Sequence, residues 1–265
     1  MTELATFAIF ANELADVARA EALRWSALDW AVEDKNERGA FDPVTRADRA
    51  VERVMRDAIA ARWPDHGIDG EEFGSSPGAG RYRWSLDPID GTRSYICGLP
   101  SWTILIALLD EGRPVLGVID APRLGERFIG YGDVAERMTA AGPSRLATSG
   151  CRALHEARLS TTDPYLFPPD ERARFDRVRA ASRLTRYGLD GYAYGALAAG
   201  GLDLIIESGL APHDLNALVP VVRASGGAIG NWEGEADFSQ GRVIAAASAE
   251  LLQEAVALLQ SGTGP

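Results

Sequence analysis

The densest group of side chains able to do chemistry lies in Trp84-Ser-Leu-Asp87-Pro-Ile-Asp90-Gly-Thr92-Arg-Ser-Tyr95. Two carboxylates three residues apart bracket a proline, after a short apolar run (Trp84, Leu86) that reads as a strand end. Pro88 locks its own φ and pushes Asp87 towards an extended conformation, so the Asp87 side chain and the carbonyls after it have little freedom. Fixed carboxylates with a backbone carbonyl between them are hard oxygen donors, suited to Mg²⁺ rather than zinc. Gly91 lets the backbone approach a bound group closely, and the amides of Gly91, Thr92 and Arg93 could face a phosphate. One loop would then hold a cation and the anion it bridges. The competing reading is an ordinary turn, because Asp-Pro-x-Asp-Gly also serves as a connector.

Other acidic residues compete for the same chemistry. Glu71, in Gly70-Glu71-Glu72, is separated from this loop by Ser75 to Tyr82, a Gly- and Pro-rich stretch read as irregular, and could fold back as a third carboxylate. Asp48 follows Thr45 by three residues, close to a capping box; alternatively it lies against Thr92 and polarises the hydroxyl that orients a water. Asp214 stands at a helix start, where capping is the default role of Asp. Glu207 ends an apolar run and is poorly placed for a core residue.

The elements that must position these groups follow from periodicity. Residues 3–28 carry Leu4, Phe7, Ala8, Ala11, Leu14, Ala15, Ala18 and Ala22 at helical spacing. Residues 32–39 are charged and read as a solvated loop. A second amphipathic helix follows Thr45, with Val51, Met55 and Ile59 inward and Arg49, Glu52, Arg53 and Arg56 outward. Residues 101–109, 114–120 and 126–131 read as antiparallel strands. The remainder predicts a strand at 157–161, an exposed loop at 162–170, helices at 172–182 and 192–199, and a strand at 202–207. A single helix at 217–227, a strand at 243–247 and a closing helix at 249–260 complete it. The texture changes near residue 145, giving an N-terminal α+β half, 1–145, and a C-terminal α/β half, 146–265, that completes one site.

Composition narrows the class. The chain has 265 residues, 46% apolar and 25% charged, as expected of a soluble globular protein. A net charge of −11 predicts no basic face and no nucleic-acid partner, and any phosphate site must recruit local positive charge, from metal ions above all. No apolar run reaches membrane-spanning length and the acidic start lacks a basic leader, so no membrane partner is expected. Cys97 and Cys151 are expected as buried free thiols in a reducing cytoplasm, and three histidines with no CxxC argue against zinc.

Gly70-Glu71-Glu72, Asp87-Pro88-Ile89-Asp90-Gly91-Thr92, and His213-Asp214 ahead of Ala224-Ser-Gly226-Gly227 occur in an order that resembles the inositol monophosphatase family of Mg²⁺-dependent phosphatases. The likeness covers essentially the whole chain, including Pro43-Val-Thr-Arg-Ala-Asp48. It implies a layered αβαβα fold (α+β or α/β in class), a homodimer, and two or three Mg²⁺ per active site. By that pattern Glu71, Asp87, Asp90 and Asp214 resemble the metal carboxylates, with the Ile89 carbonyl as a further ligand. Asp90, Gly91, Thr92 and Asp214 resemble the phosphate and substrate contacts, and Glu71, Thr92 and Asp48 the groups positioning the attacking water. Two residues depart from the pattern: His213 stands where Trp is usual, and Gly230-Asn231-Trp232 where Thr-Asp-Trp is usual.

Asp65-His-Gly-Ile-x-Gly-Glu-Glu-Phe-Gly74, Gly112-Arg-Pro-Val-Leu-Gly-Val-Ile-Asp120, Arg186-Tyr-Gly188-x-Asp190-x-Tyr192-x-Tyr194 and Pro212-His213-Asp214 look most similar to the histidinol-phosphatase branch, which acts in histidine biosynthesis. Histidinol phosphate carries an amine and an imidazole, so its pocket wants carboxylates away from the metals; Asp190 and Glu207 are candidates. Arg186 would steer the phosphate or order Asp190 and Glu207 by pairing, or form only a surface ion pair. The resulting expectation is hydrolysis of a small phosphomonoester, histidinol phosphate first. Inositol 1-phosphate or a broad set of small phosphates is the rival substrate class, and an inactive metal- or phosphate-binding regulatory module the rival from a different class.

Overall fold

Alternation along single strands decides the layering. In β6 (Thr103–Asp110) the side chains of Ile104, Ile106 and Leu108 enter one hydrophobic cluster, while Leu105, Ala107 and Leu109 enter another. A strand so apolar on both faces must be covered on both. The computed structural model describes residues 2–27, 32–34 and 43–261, without the side chains of 32–34 and 43–45. Of the loop expected at 32–39, residues 32–34 are instead a strand paired with 43–45, while 35–39 and the capping side chain of Thr45 lie outside the described residues.

Helices α1 (Glu3–Ser26) and α2 (Arg46–Arg62) form the first layer; a two-stranded ribbon, β1 (Val32–Asp34) and β2 (Pro43–Thr45), lies between them in sequence. Small residues at three- and four-residue intervals in α1 (Ala8, Ala11, Ala15, Ala18, Ala22) are buried and let it lie close to its neighbours. The second layer is an eight-stranded sheet. It comprises β3 (Gly67–Gly70), β4 (Gly74–Ser76), β5 (Tyr82–Asp90), β6, β7 (Arg113–Ala121), β8 (Glu126–Tyr131), β9 (Val134–Thr139) and β10 (Gly142–Arg145). Their order is β10-β9-β8-β7-β6-β5-β3-β4. Pairing is antiparallel except for β3 and β5, which run parallel. The short helix α3 (Thr92–Ile96) follows β5 directly.

The second half supplies the other layers. A five-stranded sheet has the order β12-β11-β13-β15-β14, from β11 (Arg158–Thr161), β12 (Leu184–Tyr187), β13 (Leu204–Glu207), β14 (Ala228–Gly230) and β15 (Val243–Ala246). Helices α5 (Tyr192–Ala198), α6 (Pro212–Asn216) and α7 (Leu218–Ala224) fill the space between the sheets. Outside the second sheet lie α4 (Pro169–Ala181) and α8 (Ala249–Gln260), packed on Leu204, Ile206, Ile244 and Ala246. Ile205, Val243 and Ala245 point the other way, into the middle layer. The result is the expected αβαβα sandwich.

Several local expectations are corrected. The helix expected at 217–227 is α7 (Leu218–Ala224), and the residues leading into it form a separate short helix, α6, since Pro220 has no N–H to give the carbonyl of Asn216. The stretch Ser75 to Tyr82 begins inside β4 and ends inside β5. The loop at 162–170 contains a 3₁₀ turn at Pro164–Leu166 and the start of α4. The strands β10, β12 and β14 have only three or four residues, and β9 mixes apolar and polar side chains, so no periodicity announces them. Neither cysteine is buried: Cys97, at the C-cap of α3, is exposed and Cys151 is half-buried. Glu52, expected outward on α2, is 0% exposed.

Candidate active site

A regular strand sends residues i and i+3 to opposite faces, so Asp87 and Asp90 on one unbroken strand would diverge. The β5–β6 ladder shows the remedy: Asp87 pairs with Leu105 and Asp90 with Thr103, so three steps on β5 oppose two on β6. This bulge falls on Pro88 and Ile89, where proline has no amide to lose from the ladder. Beyond it Gly91 takes φ +82°, a left-handed conformation that costs glycine little, and α3 begins.

The other acidic groups arrive on separate elements. Glu71 follows β3, and its amide donates to the Leu86 carbonyl at 3.2 Å, bringing it beside Asp87 across a parallel pair. Asp214 sits in α6, where its Oδ2 accepts the Ala211 amide at 2.6 Å, so the capping role holds. Helix α6 is tied to β5 by Asn216, whose Nδ2 donates to Ser85 Oγ at 3.0 Å. Where α6 passes into α7 the chain lies so close to β7 that a Cβ at Gly117 would stand 2.0 Å from the Ala217 carbonyl oxygen. Carboxylate oxygens of Asp87, Asp90 and Asp214 thereby come within 4.8 Å of one another.

The electrostatics of this cluster are unfavourable without a counter-charge. Burial first, then the charges of Glu71, Asp90, Asp214 and Asp48, raise the Asp87 pKa well above the ordinary carboxylate range. Asp90 is raised in the same way by burial and by Asp190 and Asp214, opposed by hydrogen bonds from Thr103 Oγ1 (2.7 Å) and the Gly191 amide (2.6 Å). Asp87 is 1% exposed, and its Oδ1 has no hydrogen-bond partner among the described residues. An orphaned buried oxygen amid converging carboxylates fits a hard cation, which would satisfy the oxygen and cancel the repulsion. Among the described residues these three aspartates are the candidate metal cluster, and Glu71 and the Ile89 carbonyl lie close by in the chain geometry.

The water-positioning candidates surround this point. Asp48, 2% exposed in the first turn of α2, is close enough to Asp87 and Tyr95 to raise both pKa values. The Thr92 hydroxyl donates to the Ile89 carbonyl at 3.0 Å. His213 Nε2 stands 3.5 Å from Asp214 Oδ1.

Beside the three aspartates, a small cavity of about 20 Å³, room for one water molecule, is lined in part by Asp90, Asp190, Tyr194, Glu207 and Asp214. Glu207 is buried with its carboxylate accepting from Thr161 Oγ1 (3.0 Å), the Thr162 amide (2.7 Å) and Thr162 Oγ1 (2.9 Å). Burial outweighs those bonds and pushes its pKa up to about 7. Asp190 has φ +47° and accepts from Ser94 Oγ at 3.0 Å. Arg186 does not order these acids: it lies exposed on the edge strand β12, and among the described residues it pairs with neither. In its place Ser94, Thr161 and Thr162 do that work.

The sequence reading missed Thr103, the Ser94–Asp190 contact and Tyr194, whose buried hydroxyl finds no partner among the described residues and borders the same cavity. For Thr161 and Thr162 a signal existed, since one hydroxyl ends and the next follows a strand that runs parallel beside the strand ending in Glu207. Among the described residues no helix is long and apolar enough to cross a membrane.

Known proteins resemble this chain in sequence and in fold. The chain is 39% identical over 98% of its length to the chloroplastic bifunctional phosphatase IMPL2 of Arabidopsis thaliana, 76% of which is covered. It is 37% identical to a histidinol-phosphatase of Mycobacterium tuberculosis, over 84% of this chain and 86% of that one. The structure of an inositol monophosphatase from Zymomonas mobilis superposes with a TM-score of 0.87 at 36% identity, covering 98% of this chain and 100% of that one. The inositol monophosphatase family model matches residues 3–263, the span that carries every acidic residue described above, and the chain belongs to that family of phosphatases.

Proposed function

We propose that this protein hydrolyses a small phosphate monoester with Mg²⁺, two or three ions per site, and that histidinol phosphate is its substrate. The observation that carries the reaction is the convergence of Asp87, Asp90 and Asp214, with a buried Asp87 oxygen that no described protein donor satisfies. These three, with Glu71 and the Ile89 carbonyl, would hold the cations. Bound there, Mg²⁺ would neutralise phosphate charge and ease proton loss from water. The backbone of Gly91 and Thr92 would receive the phosphate, with Asp90 and Asp214 flanking it. Glu71 and the Thr92 hydroxyl, with Asp48 behind it, would orient the attacking water in line with the leaving group. None of these roles needs a covalent intermediate.

Asp190 and Glu207 support the substrate choice. They put two further carboxylates next to Asp90 and Asp214, where an amine or imidazole would be met by opposite charge. The identity to a histidinol-phosphatase points the same way. One observation favours an inositol phosphate instead: with a pKa of about 7, Glu207 is about half protonated at neutral pH, and the protonated form could serve hydroxyls. As part of the same proposal the protein works in the cytoplasm as a homodimer, in histidine biosynthesis. Phosphate release from histidinol phosphate and inositol 1-phosphate, each with Mg²⁺ and with EDTA, tests both levels. Release from histidinol phosphate that EDTA abolishes is expected. A strong inositol preference overturns the substrate, and EDTA-resistant turnover overturns the metal dependence.

A further inference from the structure

Glu52 is a charged residue buried on a helix whose pattern would turn it to solvent. It is 0% exposed, and a carboxylate withdrawn from water is costly unless its oxygens are met by donors. Its donors are specific. Oε2 accepts the Glu72 amide at 2.6 Å, and Oε1 accepts the Phe73 amide at 3.2 Å and Arg56 Nε at 2.7 Å. These are the two amides that follow Glu71. Arg56 extends the grip, with Nη1 donating to Ser76 Oγ at 2.9 Å and Nη2 to the Gly74 carbonyl. The guanidinium carbons of Arg53 and Arg56 lie 5.4 and 6.0 Å from the Phe73 ring centroid, against the exposed ring of the same turn.

We propose that Glu52, braced by Arg56, is a positioning residue that fixes Glu71 for cation binding and water orientation; this rests on the metal-dependent phosphatase reading above. The turn after β3 is held from both sides, by β5 through the Glu71 amide on Leu86 and by α2 through Glu52. The fit to α2 is tight, since a Cβ at Gly70 would stand 2.0 Å from Glu52 Oε1. Glu52 also lies one helical turn after Asp48, so one rigid helix carries both Asp48 and the clamp on Glu71. A carboxylate suits the task because it accepts three N–H groups and donates none. Glutamine would turn an NH₂ against one of them.

The test compares wild type with Glu52→Gln in three measurements: Mn²⁺ binding by calorimetry, Mg²⁺-dependent phosphate release, and amide exchange of the segment 70–76. The variant is expected to bind Mn²⁺ and to require Mg²⁺ about tenfold more weakly and to lose about 10- to 100-fold in kcat, with KM changed less than about twofold. The Glu72 and Phe73 amides should exchange faster. A purely structural role would lower Tm yet leave Mn²⁺ affinity and kcat intact well below it, and that result overturns the proposal. Should Glu52→Gln not fold, Arg56→Lys keeps Glu52 but loses the guanidinium fork. It should weaken Mn²⁺ binding by about threefold, in the direction of other supporting-residue losses, and unchanged affinity there is equally fatal. Wild type without Mg²⁺-dependent phosphate release would sink the phosphatase reading, while amide exchange and Mn²⁺ binding would still decide the role of Glu52.

Discussion

Replacing Glu207 by Gln should make the protein more stable at alkaline pH and should flatten its stability profile. The carboxyl has an ordinary pKa of 4.5 and is pushed up to about 7 in the folded chain by burial. Between those two values the native state holds a proton that the unfolded state has released. Stability from this group is therefore complete below pH 4.5 and is lost as pH rises through about 7. Each tenfold step in proton affinity is worth about 1.4 kcal/mol, so the full loss is about 3 kcal/mol. The amide can replace the carboxylate: its oxygen keeps the Thr162 amide and hydroxyl, and its NH₂ can donate to Thr161 Oγ1 once that hydroxyl turns. Urea unfolding of both proteins at pH 5 and pH 8, in EDTA so that cation binding does not enter, should show the wild type losing about 2 to 3 kcal/mol relative to the variant across that interval, since part of the loss already lies below pH 5. An equal difference at the two pH values would refute the reasoning, because it would mean that the buried carboxylate ionises as readily as in the unfolded chain.

Two further outcomes follow from the same geometry. Glu71→Gln should still bind Mn²⁺ through Asp87, Asp90 and Asp214 while kcat falls by about 10²-fold or more, the usual scale for losing a proton-handling group; retained turnover would move the water-positioning role elsewhere. Gly117→Ala places a methyl 2.0 Å from the Ala217 carbonyl and should cost about 1 to 3 kcal/mol as an overpacked contact, with weaker Mg²⁺ binding because Asp214 shifts with α6. Thermal unfolding with and without Mg²⁺ measures both effects, and an unshifted Tm would show that the close approach is not structural.

The longer helices, the strands β6, β7 and β8, and the loop that carries Asp87 and Asp90 were legible because each depends on local chemistry. Periodicity marks α1, α2 and β6, proline and glycine mark the loop, and Ala249 to Gln260 reads as a helix from its spacing alone. Glu52 shows where that kind of inference ends. Helical spacing puts it with arginines on a polar face, and only the return of the β3–β4 turn over α2 converts that face into an interior. Arg186 fails the other way, since charge and proximity in sequence suggested pairing with Asp190, but the parallel β11–β12 register leaves it on the sheet edge.

What the sequence alone determined, then, is the kind of donor: hard oxygens, a proline-restricted backbone and a glycine that can turn left-handed. Their convergence belongs to the tertiary structure. A one-residue bulge brings Asp87 and Asp90 to a common point, a parallel strand pair brings Glu71 alongside, and a helix packed onto Gly117 brings Asp214 across more than a hundred residues of chain. Such contacts depend on register and packing distance between elements remote in the chain, and no local pattern encodes either.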